Sequence, residues 1–317
     1  MSGYAFGWCD TDGAPADGGG GKMLRSALAL LSAELVGETA GAAVPGAVAV
    51  ELLHVFSLIH DDIMDRDEQR RHRPTVWKAY GTGPAILGGD ALFALSIRTV
   101  AHAPHGAWPA VRLISDTALR LCQGQAQDLA FEQRPWTGPG MVTSAEYKAM
   151  AADKTGSLIS CALAIGALLA GAPAATAETL AKAGQELGLA FQIVDDVLSG
   201  TGDPALTGKP VLNDLRTRKK TYPIMAALAS PKRAGTKLRT VMAADDRLRD
   251  EQLAATSEED LARIGDLVAE AGGYQHAMRE AHRRIEHALT ALTRAPLDEA
   301  AVEELSALAA FLLDRSA

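Results

Sequence analysis

An apolar stretch, residues 48–59, is broken only by Glu51, His54 and Ser57, and it runs straight into Asp61-Asp62-Ile63-Met64-Asp65. A helix that is apolar all round must be buried between other helices. This chain therefore has to bring three carboxylates to the end of a buried helix. Asp61 and Asp65 stand one turn apart and share a face, while Asp62 points about 100° away around the axis. Two carboxylates on one face repel each other unless a cation lies between them. Hard oxygen donors suit Mg²⁺, which keeps several waters and usually bridges to a phosphate. Arg70-Arg71 follow, and the guanidinium fork matches phosphate oxygens with two parallel hydrogen bonds. The stretch reads as carboxylate, metal, diphosphate, arginine. A lone acidic helix end is more often solvated surface. A second acidic pair on another apolar helical segment, Asp195-Asp196, lifts the functional reading above that one.

Composition narrows the fold. Of 317 residues, 48% are hydrophobic but only 5% aromatic. The apolar content is mostly Ala and Leu, which favours helix, and runs of β-branched residues that would mark strands are few. The expected class is all-α, a single large bundle of antiparallel helices around a central apolar cavity. A chain of this length can bury a sizeable core. The net charge of −8 excludes general nucleic-acid binding, since no basic tract offsets it. Cys9, Cys122 and Cys161 are odd in number and widely spaced. They make neither a metal knuckle nor a disulfide frame, which points to a reducing cytoplasm. No apolar run reaches the roughly 18 to 20 uncharged residues of a spanning helix, so no membrane span is expected. No basic region followed by an apolar core marks a signal peptide.

Residues 1–21 read as an irregular segment ending in the glycine run Gly18 to Gly21, and 22–317 as one all-helical domain. Gly21-Lys22 invites a phosphate-loop reading that fails. Ala16 replaces the first glycine, Met23 replaces the Ser/Thr that would hold magnesium, and no strand precedes. Lys22 and Arg25 instead share a face in the first turn of a helix. Helices are expected over residues 24–36, 42–64, 85–101, 109–131, 144–169 and 177–198, with 66–83 a polar loop. Residues 153–156 (Asp-Lys-Thr-Gly) form a polar patch in mid-helix. A loop rich in Gly and Pro leads to Lys209, and Lys219-Lys220 lie beyond it. His54 stands two turns before Asp61. Alone it would more often be a core histidine than a ligand. Two acidic helices facing each other would make a bundle cavity with acidic rims.

These residues together resemble the trans-isoprenyl diphosphate synthases, the polyprenyl synthetase family, and most closely actinobacterial geranylgeranyl diphosphate synthases. The resemblance covers nearly the whole chain and rests on a combination of motifs. They are Gly21-Lys22…Arg25, His60-Asp-Asp-Ile-Met-Asp65 with Arg70-Arg71 and Arg73-Pro74-Thr75, and Gly89-Asp90. Gly124-Gln125…Asp128, Lys154-Thr155 and Gln192…Asp195-Asp196 follow. Thr207-Gly208-Lys209-Pro210 and Lys219-Lys220-Thr221 complete the set. The resemblance implies that Asp61 and Asp65, with Asp62 in support, hold two Mg²⁺ ions on an allylic diphosphate. Asp195, helped by Asp196, would hold a third. It places Arg70, Lys154, Lys209 and Lys219 on the same diphosphate, and Lys22, Arg25, His54 and Arg71 on isopentenyl diphosphate. Thr155 and Gln192 would face the developing allylic cation. The implied partners are isopentenyl diphosphate, an allylic diphosphate of C5 to C15, and a second copy of the chain in a homodimer.

The sequence departs from the family pattern in places. Ser199 stands where many members carry a third aspartate, and Ser26 replaces the usual proline after Arg25. Members generally carry a further helix before the Phe-Gly-Trp segment. Leu212 replaces a glycine; if that glycine takes φ > 0, leucine there is strained. Phe56 and Ser57, five and four residues before Asp61, resemble the pairing of enzymes that stop near C20, and Phe93 would shorten the cavity further; C20 is the expected product, with C15 and C25 as the alternatives. Two other readings compete. A class I terpene cyclase shares the fold class, but Thr221 stands where its second motif needs Glu. A non-catalytic subunit of a heteromeric prenyl synthase would tolerate Ser199 and Leu212.

Overall fold

The computed structural model describes residues 1–16, 23–201, 212–250 and 257–314. The protein is all-α, with one two-stranded hairpin and one isolated bridge, Cys9 to Pro15, among the described residues. It comprises two compact units. The first contains Met1–Leu121, Gly156–Glu186 and His287–Leu308; the second contains Cys122–Thr155, Leu187–Glu286 and Ala309–Ala317.

In the first unit, α1 (Ser2–Ala5) is followed by α2 (Leu24–Glu34) and α3 (Val44–Met64). Pro45 in the first turn of α3 supplies a pre-set φ where no intrahelical N–H is needed. A hairpin of β1 (Gln69–Arg70) and β2 (Arg73–Pro74) leads to α4 (Val76–Tyr80) and α5 (Thr82–Ala101). These elements occupy the span expected to be a polar loop. The extended pairing is only two residues per strand, too short for a period to show. α3 packs on α5, and α2 packs on α8 (Ser157–Leu169). The α2–α8 contact is close enough that a Cβ on Gly166 would lie 2.0 Å from the Ala29 carbonyl oxygen. Ser32 seals that crossing: its Oγ accepts from the Ala167 N–H at 2.9 Å and donates to Ala29 O at 3.2 Å. Leu53 and Ile59 of α3 are buried in this unit, each worth roughly 1.5–3 kcal/mol.

The long helices α6 (Ala107–Glu132) and α9 (Ala174–Thr201) contribute residues to both units. α7 (Ser144–Ala151) begins with a capping box, in which Thr143 and Glu146 satisfy each other's backbone N–H. The second unit builds its own core. Trp136, Leu215 and Ile224 pack with Leu238, Met242, Ile264 and Val268 from helices Arg233–Asp250 and Glu258–Ala271.

Among the described residues three helical stretches, Ala40–Met64, Thr82–Ala101 and Ser144–Leu169, are long and apolar enough to cross a membrane by length and composition. The sequence expectation of none counted only uncharged runs, whereas a spanning-length window tolerates one or two charges. The third stretch is largely buried against protein.

Candidate active site

The aspartate cluster lies at the C-terminal end of α3, which stops at Met64 with Asp65 as its cap. The Asp65 N–H still donates to Asp61 O at 2.8 Å, so the two side chains share a face one turn apart. Asp62 turns inward. Its side chain is 5% exposed, and Oδ1 accepts from Arg70 Nε at 2.9 Å and from Arg70 Nη2 at 2.7 Å. Burial works against the Arg70 cation, but the Asp62 carboxylate outweighs it and raises the arginine pKa. The pair fixes the hairpin to the helix end. Backbone and side chains around Asp67 do the same: Asp67 N–H donates to Asp62 O, while Thr75 Oγ1 and Trp77 Nε1 both donate to Asp67 O at 2.8 Å.

The hairpin register pairs Arg70 with Arg73 and leaves Arg71-His72 as a two-residue turn. Both turn residues have positive φ, 51° and 61°. Asn-Gly is the pair that suits such a mirror-image turn. A residue with a Cβ gives up about 1 kcal/mol or more in that region. Arg71 thereby projects from a turn held in one shape. Its charge acts on Glu51 and His54 of α3, as does that of Arg25 in the first turn of α2. Arg25 Nη1 lies 3.3 Å from His54 Nε2. Arginine can only donate, so Nε2 is the unprotonated nitrogen. Burial first, and then the three arginines around it, hold the His54 pKa well below its ordinary value. The imidazole is a neutral hydrogen-bonding group. Glu51, the one acid in the apolar run, is raised by burial and lowered by Arg25 and Arg71, with a net rise. The first unit thus carries Asp61, Asp62, Asp65 and Arg70 in one group, and Arg25, His54 and Arg71 in another.

The second unit gathers the lysines. Lys154 and Thr155 sit in a single π-helical turn, Ala152–Gly156, between α7 and α8. Such turns arise where an extra residue is inserted into a helix, frequently at functional sites. This one explains the mid-helix polar patch. Gly124 of α6 allows it, because a Cβ there would lie 2.3 Å from Lys154 N and 2.7 Å from its Cα. Lys154 Nζ donates to Asp128 Oδ2 at 2.5 Å, and Lys219 Nζ reaches the same oxygen at 3.0 Å and Glu132 at 2.8 Å. Burial pushes the Asp128 carboxyl up, but the two lysines more than offset it, and its pKa is lowered. Asp128 belonged to a recognised motif without a role. Its place between two lysines 65 residues apart in the chain (219 − 154) leaves no trace in local spacing. Gln125, one turn before it, is buried, with neither amide atom partnered among the described residues.

Thr155 Oγ1 donates to Gln192 Oε1 at 2.5 Å, and Gln192 Nε2 donates to Asp196 Oδ1 at 2.9 Å. The other Asp196 oxygen accepts from Tyr147 OH at 2.6 Å and from the Tyr222 N–H at 2.8 Å. Asp196 is the residue expected to help Asp195 hold a metal; in this structure both its oxygens accept from protein donors inside the unit. The physical reason is that the residue after Asp195 points about 100° further round α9. Burial drives the Asp196 pKa up to about 7, against the hydrogen bonds from Tyr147 and Tyr222. The Tyr222 bond also ties down the segment that carries Lys219. Lys220 beside it is buried over the Trp136 ring at 3.6 Å.

Among the described residues no three His, Cys, Asp or Glu side chains converge as a cage for a metal. Asp61 and Asp65 fit Mg²⁺ in a different way: two partly exposed carboxylates one turn apart. Mg²⁺ takes one or two protein carboxylates and completes its shell with water and phosphate oxygens. Asp195, on α9, is likewise partly exposed. Lys22 and Lys209 lie outside the described residues. On the α3–α5 contact Phe56 is buried and stacks on Phe93, with centroids 5.4 Å apart. Ser57 Oγ turns back to His54 O at 2.8 Å.

The polyprenyl synthetase family profile matches residues 17–259. A (2E,6E)-farnesyl diphosphate synthase of Mycobacterium tuberculosis is 42% identical over 318 residues, covering 99% of this chain and 85% of the relative. A geranylgeranyl diphosphate synthase of the same organism is 44% identical over 294 residues, covering 92% and 80%. A crystal structure of a polyprenyl synthetase from Streptomyces coelicolor A3(2) superposes with a TM-score of 0.88 at 46% identity, covering 98% of this chain and 90% of that one. An all-helical chain that carries aspartates, arginines and paired lysines on such a frame belongs to the polyprenyl synthetase family of trans-prenyl diphosphate synthases and is a prenyltransferase.

Proposed function

We propose that this chain condenses isopentenyl diphosphate with an allylic diphosphate to a linear trans-prenyl diphosphate, geranylgeranyl diphosphate (C20). The observation that carries the reading is the presence, on the first unit, of cations beyond the one that pairs with the aspartate cluster. Arg70 stands with the aspartates, and Arg25 and Arg71 stand with the neutral His54. Two diphosphates need such further cations; an enzyme that ionises one diphosphate does not.

In this reading Asp61, Asp65 and Asp195 would hold Mg²⁺, three ions in all, for the allylic diphosphate, with Asp62 acting through Arg70. Bound there, the ions supply charge neutralisation to the departing diphosphate. Arg70, Lys154, Lys209 and Lys219 bind the same group. Lys154 and Lys219 already rest on Asp128, so they are oriented before substrate arrives and exchange one anion for a more highly charged one. Their attraction grows as the carbon–oxygen bond breaks and charge collects on the leaving group, which makes the binding differential. Lys22, Arg25, His54 and Arg71 orient isopentenyl diphosphate, whose double bond attacks the cation. Thr155 and Gln192 present oxygens to the cation, held by Asp196. A dry apolar wall keeps water from quenching it. The stacked Phe56 and Phe93 limit the growing chain, with Phe56 and Ser57 the basis for C20 and Phe93 pulling toward a shorter product. Residues 22–317 act as one catalytic domain. Three free cysteines accord with action in the cytoplasm, and the exposed apolar face of α5 accords with a homodimer.

Incubation with Mg²⁺, isopentenyl diphosphate and, separately, the C5, C10 and C15 allylic diphosphates tests the reading. Linear alcohols released only after phosphatase treatment support it and give the chain length. Hydrocarbons or cyclic alcohols without phosphatase would identify a cyclase. No product from folded protein with every primer would mark a non-catalytic subunit.

A further inference from the structure

The first sixteen residues do more than precede the first long helix. Tyr4 is buried, and its hydroxyl donates to Pro74 O at 2.7 Å. The Arg73 guanidinium lies over the Tyr4 ring, 4.5 Å from its centroid, and Nη2 donates to Cys9 O at 2.8 Å and to Asp10 Oδ1 at 3.0 Å. Tyr80 packs edge-on to Tyr4 at 5.4 Å and donates from its hydroxyl to Thr11 O at 3.2 Å. The segment is thus clasped to β2 and α4 through its backbone as well as its side chains. β1 is held separately, by Arg70 on Asp62. With both strands fixed, the two-residue turn between them has little freedom, and Arg71 and His72 are kept at positive φ without a glycine.

We propose that Tyr4 and Arg73 are positioning residues for isopentenyl diphosphate binding. They hold β2 so that the strained turn aims the Arg71 guanidinium at the diphosphate. The proposal rests on the assignment of Arg71 to isopentenyl diphosphate given above. Arg70 is the register partner of Arg73, but its guanidinium is held on its own by Asp62, so the clasp acts chiefly through Arg71 and on the isopentenyl diphosphate.

The test uses the full chain with Tyr4→Phe, Tyr4→Leu and Arg73→Lys, each alone and in an Arg71→Ala background. Tyr4→Phe removes the hydroxyl bond and keeps the ring under Arg73; Tyr4→Leu removes both. Binding of isopentenyl diphosphate is read by titration calorimetry, and KM for each substrate by turnover. Thermal melts show whether each variant is folded. The expected result is a Kd and KM for isopentenyl diphosphate raised about threefold by Tyr4→Phe and about tenfold by Tyr4→Leu, with allylic KM and kcat within about twofold. In the Arg71→Ala background the Tyr4 changes add nothing further. A folded Tyr4→Leu variant with unchanged affinity overturns the proposal, as does an equal rise for both substrates. If Tyr4→Leu does not fold, Tyr4→Phe and Arg73→Lys decide by the same readings. A wild-type protein that binds no isopentenyl diphosphate, or an Arg71→Ala variant that binds it normally, would instead sink the assignment on which the proposal stands.

Discussion

Leu212 shows how a strained residue survives. Its φ of 62° is the left-handed conformation that costs a leucine about 1 kcal/mol or more. Its side chain packs against the core of Leu215, Ile264 and their neighbours, close to Gly265. Partial burial of a leucine returns about 1 kcal/mol, and glycine carries an unfolded-chain entropy of about 0.5–1 kcal/mol. Leu212→Gly is therefore expected to lower stability by about 1 kcal/mol in urea titration, because lost packing and chain entropy outweigh the relieved strain. Phe56 decides a different property. It is buried and stacked on Phe93, and in the proposed reading it limits the growing prenyl chain. Phe56→Ala is expected to lengthen the main product by at least one C5 unit and to cost about 3 kcal/mol of stability. Chromatography of the dephosphorylated products checks the first, and a melt the second.

Among the elements, the π turn depends most on a neighbour. It exists because α6 presents Gly124 to the backbone of Lys154. A Cβ there meets backbone atoms, which cannot swing aside. Gly124→Ala is expected to cost about 1–3 kcal/mol, and to reduce kcat at least tenfold by displacing Lys154 and Thr155. The join between α7 and the helix Gly273–Thr293 is electrostatic. Glu280 is 11% exposed and accepts from Arg283 and Arg284, with Lys148 at 3.3 Å. Burial alone would raise its pKa, but the three cations hold it at about 2. A carboxylate with a depressed folded pKa contributes its full stability above the unfolded value of 4.5 and loses it as pH falls toward 2. The melting temperature of the wild type should drop across that window. That of Glu280→Gln should start lower and drop less, as a pH series of thermal melts will show.

At the scale of the whole molecule, α5 is packed on one side only. Ala85, Gly88, Leu92 and Ser96 are buried, while Ile86, Leu87 and Leu95 are exposed, Leu87 at 69%. Exposed apolar side chains, here with Asp90 and Arg98 among them, suit an interface, and the homodimer proposed above would cover them. Leu87→Glu places a charge in the middle of that face. It is expected to convert a dimer to a monomer in light scattering while leaving the far-ultraviolet dichroism of the helices intact. A wild-type protein that is monomeric at micromolar concentration would remove the dimer from the account.

What the sequence determined by itself is whatever has a short period or a local rule. Helix content followed from Ala and Leu usage and from the 3.6-residue pattern. The shared face of Asp61 and Asp65 followed from their spacing; strain at Leu212 was conditional on a positive φ, which the structure supplied. The tertiary structure alone decided contacts between residues far apart in the chain, which no spacing encodes. It put Lys154 and Lys219 on one buried carboxylate, Asp128. It turned Asp196 inward to Tyr147, Gln192 and the Tyr222 backbone, because burying a carboxylate requires that its oxygens find donors wherever the chain supplies them. It also brought residues 1–16 onto the hairpin that carries Arg71. A segment without periodicity takes its structure from the surface it packs against, and that surface exists only once the helices have folded.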